Sequence, residues 1–266
     1  TWNDFDSFED EVKFNLKLDS SIVSLEDIAF FAGDLKGMND IVRIKGNFTN
    51  VISQLKINDF ALGFGEQSFV RGDFELPDFS DSVTQEFTQI FSDIYLNLED
   101  LKAINMPDGI DPISIDPSIE MNKYIAITDL TINGSDQDFD FTFEEFKSDL
   151  GVFELPGSMN FLMDSTSIKL APSEGFTSNL LIKDFHLGRF LSEDLLGYIS
   201  GSVQPIVEYS NNGDLSFRLN HSNISNVGFN DYNISQIDIV EGSYKNNLLK
   251  AGIKINDKNL KLDMSC

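Results

Sequence analysis

At 266 residues the chain is long enough to bury a sizeable core, and 19 Lys plus Arg against 44 Asp plus Glu leave a formal charge of −25. A surface that acidic repels nucleic-acid phosphates and anionic headgroups at long range, which argues against a DNA or RNA partner. The single cysteine, Cys266, excludes an internal disulfide, and no apolar run approaches the ~18 residues of a membrane span, Ile28 to Ala32 being the longest clear one.

The chain carries 24 Phe against one Trp and six Tyr. Phe is large and wholly apolar, so a core or a bound apolar partner must cover these side chains. No signal peptide is recognisable and the first residue is Thr1, so the expectation is a piece of a longer protein.

Period-two alternation runs from end to end. Phe14-x-Leu16-x-Leu18 reads as a first strand, followed by a helix at Ser24-Leu25-Glu26-Asp27 with Ile28, Phe31, Ala32 and Leu35 on one side and Gly37 closing it. Val42-x-Ile44, Leu55-x-Ile57 and Phe60-x-Leu62-x-Phe64 are further strands, with Gly63 to Gly65 at a hairpin turn. Val83 to Ile94 fits a helix by its Val83, Phe87, Ile90, Phe91 and Ile94 spacing, whereas Ile94-x-Leu96-x-Leu98 fits a strand.

Ile125-x-Ile127, a turn at Asn133-Gly134, Phe139-x-Phe141-x-Phe143 and Leu180-x-Ile182 continue the pattern. A second helix is expected from about Ser192 to Ile199. Beyond it, Phe217-x-Leu219, Ile253-x-Ile255 and Leu260-x-Leu262 are strands, with Asn211-Asn212-Gly213 at a turn. The fold class expected is all-β, a long curved antiparallel sheet with a few short helices.

Three stretches break the alternation in the same way: LKINDFAL at Leu55–Leu62, IAITDLTI at Ile125–Ile132 and LLIKDFHL at Leu180–Leu187. In each, the apolar parity switches just after Asp59, Asp129 or Asp184. A one-residue slip turns the apolar set to the wrong face unless an inserted residue bends the strand and restores it. The three aspartates are therefore expected to mark bends, their carboxylates accepting backbone N–H groups freed there. Their intervals are unequal, which excludes a tight solenoid of fixed period. FELP recurs at Phe74–Pro77 and Phe153–Pro156, each downstream of one bend. The expectation is one continuous segment, 1–266, of loosely repeated units at about 20–80, 81–160 and 161–266.

Residues for catalysis are scarce. The two histidines, His186 and His221, stand in no metal-ligand spacing, and His186 reads as a partly exposed strand residue. Gly197-Tyr198-Ile199-Ser200-Gly201 lacks the spacing of a nucleophile elbow, and no Walker loop or dinucleotide fingerprint is present. Asp136-x-Asp138-x-Asp140 alternates against phenylalanines as a half-solvated strand does, without the glycine and distal glutamate of a calcium loop. Asp108-Gly109-Ile110-Asp111 reads as a turn. The Asn-x-Ser/Thr triplets at Asn47, Asn133, Asn220, Asn223 and Asn233 are no more than an Asn- and Ser-rich chain produces by chance. No enzyme, metal or cofactor is expected.

The apolar face remains. Candidates to line it are Phe14, Leu16, Leu55, Ile57, Ile125, Ile127, Phe139, Phe141, Phe143, Leu180, Ile182, Phe217, Leu219, Ile253 and Ile255. Either the sheet folds over into a sandwich, or it forms a gutter around something apolar. Acyl chains suit a gutter: a sixteen-carbon chain leaving water gains on the order of 12 kcal/mol at about 0.8 kcal/mol per methylene. Transfer from a bilayer is near neutral, which favours passage over storage.

Ser20 to Gly37 (SSIVSLEDIAFFAGDLKG) followed by Val42 to Phe79 (VRIKGNFTNVISQLKINDFALGFGEQSFVRGDFELPDF) resembles the TamB family, the periplasmic subunits of the translocation and assembly module, in the version of Bacteroidota-type bacteria. Ser24, Leu25, Asp27, Ile28 and Phe31, then Gly46, the stretch around Asp59, Gly65, Ser68 and Gly72 carry it. Phe185 to Val203 and Phe229 to Tyr244 resemble later parts of the same repetitive region. The resemblance implies an AsmA-like, bridge-type lipid-transfer protein with a taco-shaped hydrophobic β-groove. It implies a full-length protein anchored in the inner membrane that reaches an Omp85-class outer-membrane barrel through regions outside this chain. It also implies phospholipid acyl chains as cargo and a role in outer-membrane protein assembly. The rival readings are an extracellular β-sandwich adhesin or lectin, and an acidic interaction scaffold of a secretion machine.

Overall fold

The computed structural model describes residues 12–29, 36–51, 54–75, 87–113, 123–135, 137–174, 179–210, 214–230, 232–245 and 248–265. The chain divides into two compact units, Thr1–Ser135 and Asp136–Cys266. Both are all-β and antiparallel, as the alternation predicts.

In the first unit, β1 (Phe14–Ser24), β2 (Ile41–Asn50), β3 (Lys56–Phe64), β4 (Ser68–Glu75), β5 (Phe87–Asn97) and β6 (Tyr124–Gly134) pair in sequence order as a meander. Two short helices sit at strand ends, α1 (Leu25–Ile28) after β1 and α2 (Leu98–Ala103) after β5. The ambiguous stretch from Val83 becomes strand over its described part, because β5 pairs on both sides. Of the first predicted helix, Leu25–Ile28 is described; Phe31, Ala32 and Leu35 lie outside the described residues, and Ser24 occupies the N-cap position without a side-chain cap bond.

The second unit comprises β7 (Asp138–Ser148), β8 (Gly151–Met163), β9 (Ser167–Pro172), β10 (Leu180–His186), β11 (Tyr198–Ser210), β12 (Leu215–Phe229), β13 (Tyr232–Lys245), β14 (Leu248–Asn256) and β15 (Lys261–Ser265). Their order is sequential except that β9 and β10 share one strand position. Residues 152–154 of β8 pair with β10 and 159–163 with β9, and β11 divides its own length between them likewise. The expected helix from Ser192 to Ile199 lies elsewhere. Helix α3 spans Leu187–Leu191, where Ser192 ends it in a left-handed conformation, φ 57°; Ile199 belongs to β11. His186 caps α3, its Nδ1 accepting the Arg189 N–H at 3.2 Å.

Asp59, Asp129 and Asp184 are all left-handed, with φ of 54°, 49° and 48°. L-residues enter this region at a steric cost that Asp and Asn bear best. On β3 three residues, Ile57 to Phe60, span the distance that two residues cover on β4, so Asp59 is the inserted one. Asp184 is inserted in the same way on β10 against β11. Around Asp129 no shift against β5 occurs, since Ile94↔Ile127 and Phe91↔Leu130 keep equal spacing. There β5 takes up the extra residue with β6, shifting its register against β4 instead.

The hydrogen bonding at these bends is the reverse of the expected one. The backbone N–H of Asp59 donates to Asp73 Oδ1 at 2.9 Å, and that of Asp184 to Ser200 Oγ at 3.0 Å. The Asp59 carboxylate accepts a side-chain amide, from Asn47 at 3.1 Å. The aspartates serve by tolerating the conformation, and side chains of the next strand receive the freed N–H groups. Facing two of the bends are glycines where the ladder is tightest: a Cβ on Gly72 would meet the carbonyl of Ile90, and one on Gly201 the carbonyl of Asn223.

Replacing Asp59 or Asp184 by Val is expected to cost about 1–2 kcal/mol through left-handed strain, whereas Asn or Gly at the same positions stays within about half of that. Urea midpoints at unchanged m-value measure the difference. Equal losses for Val and Gly would show that the carboxylate, not the backbone, matters at these bends.

Candidate functional site

Directly opposed residues of antiparallel strands share a face, so the register shows which side chains line up. In the first unit, Leu16, Phe48, Ile57 and Phe74 form one cross-strand row. Ile44, Leu62, Val70, Ile94 and Ile127 form another across five strands, and Leu96 opposes Ile125. The inserted Asp59 puts Ile57 and Phe60 on the same side: Phe60 meets Phe74 edge-on at 5.1 Å, and Phe74 meets Phe91 at 4.8 Å. Phe14 opposes Asn50 in the β1–β2 ladder, and Leu55 lies half-buried just before β3.

The second unit repeats the arrangement at greater width. Phe139, Phe161, Leu170, Val207, Phe217 and Tyr244 form a row across six strands. Phe146, Phe153, Ile182, Gly201, Ile224, Ile237, Ile255 and Leu262 form a row across eight. Phe141 opposes Met159, Phe143 opposes Leu155, Leu180 opposes Val203, Leu219 opposes Pro205, and Ile253 joins Ile239 to Met264. Rings run on continuously through Phe143, Phe146, Phe153, Phe185 and Phe190, at centroid distances of 6.5, 5.9, 5.3 and 5.4 Å. The register therefore places the candidates within β2–β14 on one apolar face per unit. It also adds members that the alternation did not single out, among them Phe74, Phe91, Phe153, Phe185 and Ile237.

These faces are shallowly covered. Among the described residues ten apolar side chains are buried, Ile57, Phe91, Met159, Ile199 and Val203 among them. Most of the rows are half-exposed, and Leu16 at 46% and Met264 at 40% are open to solvent. Within each unit the described strands form a single hydrogen-bonded ladder.

With so thin a core, buried carboxylates tie the ends of strands. Asp100 on α2 accepts the N–H groups of Glu66, Gln67 and Ser68 at 2.8–2.9 Å and the Ser68 hydroxyl at 2.9 Å, closing the β3–β4 hairpin. Ser68 Oγ in turn accepts the Asn97 N–H at 2.9 Å, and Asn97 caps α2. Burial pushes the Asp100 carboxyl up. The Glu66 and Gln67 N–H groups and the two Ser68 donors outweigh it and lower its pKa from 3.8 to about 2. Asp257 does the same work for β13 and β14: the Tyr232 hydroxyl first, then the Asn259 N–H and both Ser235 donors, hold its carboxyl well below the usual range. Sequence reading missed both residues; Asn97 followed by Glu99 and Asp100 is the one local signal, a helix-cap pattern.

Both histidines have positions in the backbone framework. His186 caps α3, and His221 occupies a left-handed bend of β12, φ 41°. Among the described residues no group of three or more His, Cys, Asp or Glu is placed to hold a metal ion, and no helix is long and apolar enough to cross a membrane. Asp138 and Asp140 both accept from the Asn160 amide; Asp136 lies outside the described residues. Asp108 and Gly109 form the predicted turn. No protein family, curated protein or solved structure matches the chain.

Asp100→Asn removes the charge that four donors converge on and is expected to cost about 2 kcal/mol at neutral pH. Because the folded pKa is depressed, this contribution is complete above the unfolded carboxyl pKa near 3.8 and is lost as pH falls through about 2. The stability gap between wild type and Asp100→Asn, measured by denaturant titration over that range, should close on acidification. A gap independent of pH would exclude the charge as its source.

Proposed function

We propose that the chain is a non-catalytic segment of a TamB-like periplasmic protein, whose apolar sheet faces carry phospholipid acyl chains between the inner and outer membranes in support of outer-membrane protein assembly. The observation that carries this reading is the eight-strand row from Phe146 to Leu262, apolar at every position but Gly201 and partly exposed, with Leu262 open to solvent. A continuous apolar strip suits an apolar partner. Acyl methylenes match it: they ask for no hydrogen bond and no fixed registry, and an apolar strip of uniform character offers no deep trap along its length.

The rival reading, a β-sandwich adhesin, predicts that the sheet folds over so that the apolar rows bury one another and no lipid is carried. Attachment to the inner membrane and contact with an Omp85-class barrel belong, in this reading, to regions outside the chain.

The test is native mass spectrometry with lipid analysis on the chain purified without detergent from a lysate containing bacterial membranes. Phospholipid is expected to co-purify, and Phe141→Glu or Ile127→Glu should reduce occupancy at least tenfold. Each substitution should cost no more than about 1–2 kcal/mol, since both positions are half-exposed. A folded wild-type chain that carries no lipid and binds no apolar dye would sink the proposal.

A further inference from the structure

The opposite face of the first unit carries Arg43, Lys45 and Arg71 beside Ile22 and the stacked rings of Phe69, Tyr95 and Tyr124, and on it the small residues of β3 create a depression. Ala61 opposes Lys45 on one side and Arg71 on the other; Gly63 opposes Arg43 and Phe69. Two short side chains thus form the floor, and long cationic chains rise from both flanking strands. The resulting cavity has a volume of about 330 Å³ and also touches Asp19 and Gln67.

We propose that this tray is a binding site for a phosphate group. Both guanidinium groups are already positioned. Arg43 donates to the Gly65 carbonyl at 3.4 Å, and its Nε lies 3.4 Å from where a Cβ on Gly63 would sit. Arg71 rests 4.4 Å from the centroid of the Phe69 ring and pairs with Asp93 at 3.8 Å. Arginine forks held in place match the oxygens of a phosphate better than a flexible ammonium does, and less side-chain entropy is lost when they engage. Lys45 supplies a third positive charge.

Of the carboxylates, Asp19, which pairs with Lys17 at 3.3 Å, borders the cavity itself; Asp93 pairs with Arg71, and Asp73 and Asp59 lie two residues along their strands from Arg71 and Ala61, Asp73 accepting the Asp59 N–H and Asp59 the Asn47 amide. Three cations facing one depression, with one of them partly compensated, suit a dianion better than a single carboxylate. The overall charge of −25 repels an anion at long range, and that repulsion is screened within about 10 Å at ordinary salt. The volume accommodates phosphate with a small organic substituent.

The sheet itself separates this tray from the apolar rows: Arg43, Lys45, Ala61 and Gly63 alternate with Ile44 and Leu62 along their strands. A lipid whose tails lie on the apolar face of the same strands does not reach the tray. The phosphate comes either from a soluble phosphate ester or from headgroups of a membrane surface docked on the polar face. The inference does not depend on the acyl-chain reading.

The experiment titrates inorganic phosphate into the isotope-labelled full chain at constant ionic strength, following the Nε–H signals of Arg43 and Arg71. Saturable shifts of both are expected. The double variant Arg43→Gln/Arg71→Gln, and separately Ala61→Glu, which puts a carboxylate on the floor and leaves the arginines intact, should each weaken binding at least tenfold with unchanged circular dichroism. Flotation with phosphatidylcholine vesicles, with and without phosphatidic acid, assigns the source. Binding confined to the phosphatidic acid vesicles identifies a headgroup site, and phosphate binding without flotation identifies a soluble ester. Shifts that do not saturate, that acetate reproduces equally, or that Ala61→Glu leaves unchanged would overturn the phosphate site.

Discussion

Side chains on a strand alternate between two faces, and every structural feature of this chain follows from keeping that alternation coherent across bent strands. A bend costs one residue of register, and an uncorrected slip turns every following apolar side chain to the other face. The correction is a single left-handed residue that absorbs the slip. With Asp59 inserted, Ile57 and Phe60 both serve the same ring cluster; with Asp184 inserted, Ile182 and Phe185 both meet Phe153. The rows remain apolar across six and eight strands because each strand corrects its own slip.

The backbone pays twice at such a place, in left-handed strain and in freed N–H groups, and the surroundings answer both. Strain is held to what Asp, Asn, His or Gly tolerate, as at Asp129, Asn226 and His221. The N–H groups find Asp73 and Ser200 one strand away. A glycine opposite the bend lets neighbouring backbones close to a distance that no side chain allows, as at Gly72 and Gly201. Since few side chains are fully buried, the ladder and carboxylate ties such as Asp100 and Asp257 stabilise ends that a deep core would otherwise hold.

The all-β class, the strand positions and the three aspartate bends were legible because they rest on period two, which a strand writes directly into its sequence. The pattern also located the apolar rows, since alternation in two adjacent strands implies a shared face once they pair. What stayed hidden was non-local. Asp100 reaches back over thirty residues to Glu66, Gln67 and Ser68, a distance at which no short pattern operates. The helix near Ser192 was misplaced because Ser192-Glu193-Asp194 imitates a helix start, whereas Leu187–Leu191 is nucleated by the His186 cap, a residue type rarely read as one. His221 escaped notice as a bend because the aspartate rule does not predict it, and the cationic tray because its members come from three strands.

The two faces of a strand carry different side chains, and in the first unit their chemistry differs. The rows on one side are apolar but for Gly201 and the Tyr244 phenol, so an occupant there is selected chiefly by its apolar area. On the first unit's other side, Arg43 and Arg71 are fixed by a carbonyl and an aromatic ring before any ligand arrives. There selection depends on charge and geometry, and exchange is governed by ionic strength. The bends that keep the apolar rows aligned also place Ala61 and Gly63 between these cations, because the residue inserted at Asp59 sets the facing of everything after it on β3. Removing that insertion would exchange the faces, putting Phe60 and Leu62 among the arginines and the small residues among the rings. One backbone conformation at one aspartate thus keeps both surfaces distinct.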